Sequence, residues 1–86
     1  MAKEVRKINI FEFNNQFNKE YEFLYNAHKE GKCVAGYDEA VQEFDKLLLV
    51  QGKFVGEFCR FRGDLISSDR EAAAFMFAME SMGLLQ

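Results

Sequence analysis

Apolar residues recur at helical spacing along most of this chain. Ile10, Phe13, Phe17, Tyr21 and Leu24 follow one another at steps of three and four, which puts them on one face of an α-helix. Asn9 stands three residues before Glu12, the spacing of a capping box with Asn in place of the usual Ser or Thr. Ile8 precedes the cap and is placed to meet Phe13 as a hydrophobic staple. Gly31 lies just past the pattern, where a helix end favours a left-handed residue. A first helix is predicted from Ile10 to about Glu30, followed by a loop over residues 31–37.

Asp38 caps the second helix or sits in its first turn, where a carboxylate suits the helix dipole. Ala40, Val41, Phe44, Leu47 and Leu48 share a face. Leu49 and Val50 fall off it, so the end of this helix reads as apolar all round and is expected to be enclosed. The helix is predicted over 38–51.

Residues 53–62 admit two readings. A hairpin about Gln51-Gly52 would put Phe54, Gly56, Phe58 and Arg60 on one strand face and Val55, Glu57, Cys59 and Phe61 on the other, both mixed. As a helix, Phe54, Val55, Phe58, Phe61 and Leu65 cluster, with Lys53 and Glu57 paired on the opposite side. The helix fits better, although Gly56 costs about 1 kcal/mol against Ala in a helix interior.

Ser68-Asp69-Arg70-Glu71 opens the last helix with a capping box in its usual form. Ala72, Phe75, Met79 and Met82 share a face, and Phe77 lies nearly opposite Phe75. Such a helix is central in a bundle or pressed against another chain. The pattern as a whole gives an all-α fold, a compact bundle of about four helices (10–30, 38–51, 53–62 and 69–82) in a single domain over 1–86. The alternative is α+β with a hairpin near 47–61.

Composition narrows the chemistry. The chain has 86 residues, a net charge of −3, ten phenylalanines, and no proline or tryptophan. That length holds one modest core. With 49% hydrophobic residues the chain is too apolar for a disordered one. No apolar run reaches the ~20 residues of a membrane span, and no secretory leader is read. Two cysteines, Cys33 and Cys59, are too few for a disulfide framework or a zinc site. Reduced thiols and a cytoplasmic location follow as the expectation.

Charge alternates along the chain. Lys3, Arg6 and Lys7 are basic, Asp38, Glu39, Glu43 and Asp45 acidic, Lys53, Arg60 and Arg62 basic again. Solvated helix faces commonly show this pattern. Asp38, Glu39 and Glu43 are carboxylates for a weak cation or, better, for a basic partner surface whose binding weakens with salt.

No catalytic constellation emerges. His28 is the single histidine, and at a helix C-terminus it reads first as a structural residue. A dyad with Cys33 is the enzymatic alternative, but no oxyanion motif accompanies it. Cys59 reads as a small buried hydrophobe. No phosphate-binding glycine loop is present. Arg62-Gly63-Asp64 spells an integrin-type tripeptide, yet Gly63 is better read as a helix-closing residue. Basic and aromatic residues interleave over Lys53–Arg62, a pattern used on single-stranded nucleic acid, but a helix would turn the rings inward.

The expected function is therefore a small acidic, non-catalytic module that binds another protein or a second copy of itself. An accessory inhibitor or modulator of the phage or mobile-element kind is the leading version. Phe77, Met76 and Ala73 form the expected apolar contact, with Asp38, Glu39 and Glu43 beside it, and no cofactor or metal is expected. The alternative is a nucleotide or single-stranded nucleic-acid binder using Lys53, Arg60 and Arg62.

Overall fold

Three helices carry the fold in the computed structural model, which describes residues 9–85. They are α1 (Ile10–Lys29), α2 (Tyr37–Arg62) and α3 (Asp69–Ser81), with no strand among the described residues. The staple residue Ile8 and the basic Lys3, Arg6 and Lys7 lie outside the described residues.

The caps act largely as their sequence implies. The Asn9 side chain accepts from the backbone N–H of Phe11 at 2.8 Å and of Glu12 at 3.4 Å. Ser68 Oγ accepts from Glu71 N–H at 3.2 Å, and Glu71 reaches back to the N–H of Ser67. Asp38 belongs to the first turn of α2; the cap position is Gly36, left-handed at φ 80° and without a side-chain bond. Gly63 ends α2 at φ 78°, with the Asp64 N–H bonded to the Cys59 carbonyl at 3.1 Å. This is the Schellman closure, which a residue with a Cβ fills at a steric cost.

The helix count is three where four were expected. The division expected between 51 and 53 is a bend inside one helix: Gln51 alone leaves helical geometry, at φ −126° and ψ 30°. The hairpin over 47–61 is excluded, because those residues are helical on both sides of the bend. The physical reason lies in the burial pattern. Leu47, Val55 and Phe58 are all buried, and only helical spacing brings them to one side.

The bend sets the core. Phe44 and Phe58 both pack on Phe75, with ring centroids at 5.5 and 5.6 Å. Fourteen residues of straight helix would carry their backbones about 21 Å apart; bent, the two arms of α2 close on one ring. Phe13 of α1 joins them in edge-to-face contact with Phe58 and Phe75, each at 4.9 Å. Such pairs add roughly 0.5–1.5 kcal/mol each beyond the burial of their area.

Helix α3 packs extensively on both of the others, while α1 and α2 meet through their side chains, Phe13 and Phe17 on Phe58 and Phe11 on Phe61. In α3, Ala72, Ala73, Ala74 and Ala78 are buried, and these short side chains let neighbours approach from both sides. Of the two outcomes expected for a helix apolar all round, the central position is the one found. Met76 and Ala73, expected on a partner surface, are enclosed by this chain's own helices. Phe77 is half-buried against the core, and its ring lies 3.9 Å from where a Cβ would stand on Gly36. The α1–α2 loop thus supplies the cover that Phe77 was expected to seek elsewhere.

Candidate functional site

Arg62 is the first residue whose placement changes the sequence reading. Its guanidinium lies over the rings of Phe17 (4.9 Å) and Phe58 (5.6 Å) and bonds the Glu71 carboxylate at 2.5 Å. Both side chains are largely buried. Burial by itself raises the Glu71 pKa; the Arg62 hydrogen bond, the Ser67 amide, the Arg62 charge and the Ser68 hydroxyl together outweigh it, so the carboxyl titrates below its ordinary value. Arg62 Nη1 is buried without a hydrogen-bond partner, which fits a guanidinium held by rings on its faces. Arg62 therefore locks α2 to α3 and α1, and it leaves the exposed basic segment.

The rest of that segment divides. Lys53 and Arg60 are exposed, while Phe54 and Phe58 turn into the aromatic core. Phe61, next to Arg60, is exposed and meets exposed Phe11 edge-to-face at 5.0 Å, so of the segment's rings Phe61 stays at the surface with the cations. Asp38, Glu39 and Glu43 are exposed on the N-terminal half of α2, with Glu43 paired to Lys46 at 3.1 Å.

His28 and Cys33 line one hollow of about 290 Å³ with Leu24, Lys32, Tyr37 and Arg70. Both are exposed, and no hydrogen bond joins them among the described residues. The Arg70 guanidinium faces the Tyr25 and Tyr21 rings at 5.3 and 5.9 Å, and burial, with the Asp69 charge, pushes the Tyr37 hydroxyl pKa up. A base bonded to a nucleophile, the minimum for covalent catalysis, is not formed. Among the described residues no group of three metal-ligating side chains is found, and no helix is long and apolar enough to cross a membrane.

The feature that sequence reasoning missed lies along α2 on the side away from α1. A cleft of about 790 Å³ opens there, lined by Leu48, Gly52, Val55, Gly56, Cys59 and Leu65 among others. Leu65 is 72% exposed and Leu49, on the adjoining surface, 88%. Leu49 was expected to be enclosed; none of the described residues crosses over it. Gly52 and Gly56 sit in helix, at backbone angles open to any residue, and a Cβ on either would meet nothing within 4 Å. The signal was present in the sequence as glycine inside a helical pattern. It reads there as a weakness of the helix, and only exposure shows it to be a notch.

Comparison with protein-family models, with curated proteins and with solved structures found no match to this chain.

Proposed function

We propose that this chain is a non-catalytic protein-interaction module, an accessory subunit that modulates a larger assembly by docking through the cleft side of α2. One observation carries the reading: Gly52 and Gly56 cost helix stability, roughly 1 kcal/mol each against Ala, and among the described residues nothing stands within 4 Å of where their Cβ atoms would be. Exposed Leu48 and Leu65 line that cleft, and exposed Leu49 follows Leu48 along the helix. An apolar patch around an open notch is the kind of surface that marks a contact with another polypeptide. The nucleic-acid alternative draws less support, since Arg62 is engaged inside the chain and, of the segment's rings, Phe54 and Phe58 pack into the core.

Photo-crosslinking tests the reading directly. A benzophenone side chain placed at Leu49 or at Leu65 is expected to crosslink to a polypeptide, whereas one at exposed Glu22 on α1 is not. Equal crosslinking from all three positions, or none from Leu49 and Leu65, would overturn it.

A further inference from the structure

The hollow beside His28 and Cys33 shares no lining residue with the α2 cleft. It forms where all three helices meet the first loop. Leu24 comes from α1, Val34 from the loop, Tyr37 and Asp38 from the first turn of α2, and Arg70 from the first turn of α3. Local bonds hold these walls. The Lys32 N–H donates to the Ala27 carbonyl at 2.9 Å around left-handed Gly31, and the Tyr37 N–H donates to the Val34 carbonyl at 3.2 Å. The volume of about 290 Å³ stands at the lower limit for small-ligand pockets, roughly 300 Å³. It suits a ligand of amino-acid size better than a nucleotide.

Opposite charges line this hollow without meeting. Arg70 is half-buried, and the Tyr25 and Tyr21 rings cover the faces of its guanidinium. Rings on the faces leave the N–H donors at the edge uncommitted. No hydrogen bond or ion pair takes them among the described residues, and none takes the Asp38 carboxylate. Lys32, on the same rim, is already paired with Glu30 at 3.3 Å. The Tyr37 hydroxyl lies within the field of both unpaired groups. Burial foremost, then the Asp69 charge, raise its pKa; Arg70 draws it down and Asp38 adds to the rise. The hydroxyl thus stays protonated at neutral pH and free to donate. Below these polar groups the floor is apolar, with Leu24 buried and Val34 half-buried.

The two charges select the ligand. A simple anion drawn to Arg70 meets the Asp38 carboxylate, and a simple cation drawn to Asp38 meets Arg70. A carboxylate and an ammonium carried on one carbon answer both. We infer that the hollow binds a free α-amino acid with an apolar side chain. Arg70 receives the α-carboxylate through paired N–H donors, the geometry that guanidinium and carboxylate favour, and Tyr37 adds a hydroxyl donor. Asp38 receives the α-ammonium. The side chain rests on Leu24 and Val34.

Amide NMR of the chain titrated with L-leucine reads the affinity and its place together. Saturable shifts are expected at Val34, Tyr37 and Arg70, with a Kd of about 1 mM or tighter. Two relatives of leucine keep its side chain and lose one charge: isocaproate lacks the ammonium and isoamylamine lacks the carboxylate. Each is expected to bind at least roughly tenfold more weakly than leucine. Arg70→Gln should weaken leucine and isocaproate without weakening isoamylamine. Asp38→Asn should weaken leucine and isoamylamine without weakening isocaproate. That crossed pattern is one a merely structural role would not give, and the same spectra show whether each variant keeps its fold.

Isocaproate binding as tightly as leucine makes the hollow a simple anion site and overturns the inference. Shifts confined to the α2 cleft, or no saturable shift with leucine, overturn it as well.

Discussion

The second half of α3 and the bend of α2 present the same text, a run of apolar residues that wraps around a helix, and the fold treats them in opposite ways. Around Phe77 the surplus apolar side is covered from within by the 31–37 loop, with Gly36 beside the ring. Around Leu49 and Val50 the surplus is left in solvent, at 88% and 46% exposure. Apolar periodicity states how much of a helix wants cover. Which element provides it depends on where the chain turns next. The loop before α2 passes α3, whereas the chain after Arg62 turns away at Gly63 and returns into α3, and no described residue crosses the outer surface of the bend.

Substitutions that widen or erase this contrast can be ordered by size. The enclosed side carries the largest effect: Phe75→Ala, which removes the ring shared by Phe13, Phe44 and Phe58, is expected to cost about 3–5 kcal/mol in chemical denaturation. Next comes the lock between the helices. Glu71→Gln leaves the Arg62 charge among rings without its carboxylate and is expected to cost about 2 kcal/mol.

That second variant also changes the acid limb. The folded carboxyl of Glu71 titrates lower than the unfolded one. Its stabilisation is therefore complete above the unfolded pKa, about 4.3 for a free Glu, and is lost as pH falls through the depressed folded value. Native chain and Glu71→Gln should converge in stability under acid and diverge toward neutral pH. A constant gap across that range would assign the pair no role in acid sensitivity.

The exposed side carries smaller effects with the opposite sign or none. Gly56→Ala meets no neighbour and is expected to raise stability by roughly 1 kcal/mol, measured by thermal unfolding. A loss instead would mean that glycine serves the fold there. Smallest of all, Leu49→Asp should leave unfolding free energy within about 0.5 kcal/mol of the native chain, because so little of Leu49 touches anything.

Much of the architecture was legible because short-range chemistry wrote it. Asn9, Ser68, Gly31, Gly63 and Gly83 mark helix ends through local hydrogen bonds and left-handed closures, and each acts within a few residues of itself. The helix over 53–62 was legible for the same reason, since one spacing buries Val55 and Phe58 together. The continuity of α2 was not. Gln51-Gly52 resembles a break, and only the demand of Phe75 for both Phe44 and Phe58 shows that the helix bends and carries on. The same limit hid the surface. Arg62 looks like an exposed cation until Glu71, nine residues on, folds back over it. Ala73 and Met76 look like a contact face until two helices close on them. Gly56 looks like a flaw until exposure shows the space above it.

The order of the helices carries a consequence for how the chain comes together. The element that packs most extensively on both α1 and α2 is the last of the three in sequence, and without it the first two meet only through a row of ring contacts. During synthesis from the N-terminus, both outer helices exist before the piece that joins them. In that interval their rings have only each other, and isolated helices of their length are marginal in water. The core thus stays incomplete until Phe75 arrives, and a nascent chain halted before Ser68 leaves Phe13, Phe44 and Phe58 without the ring they share, the form in which chaperone capture or aggregation would begin.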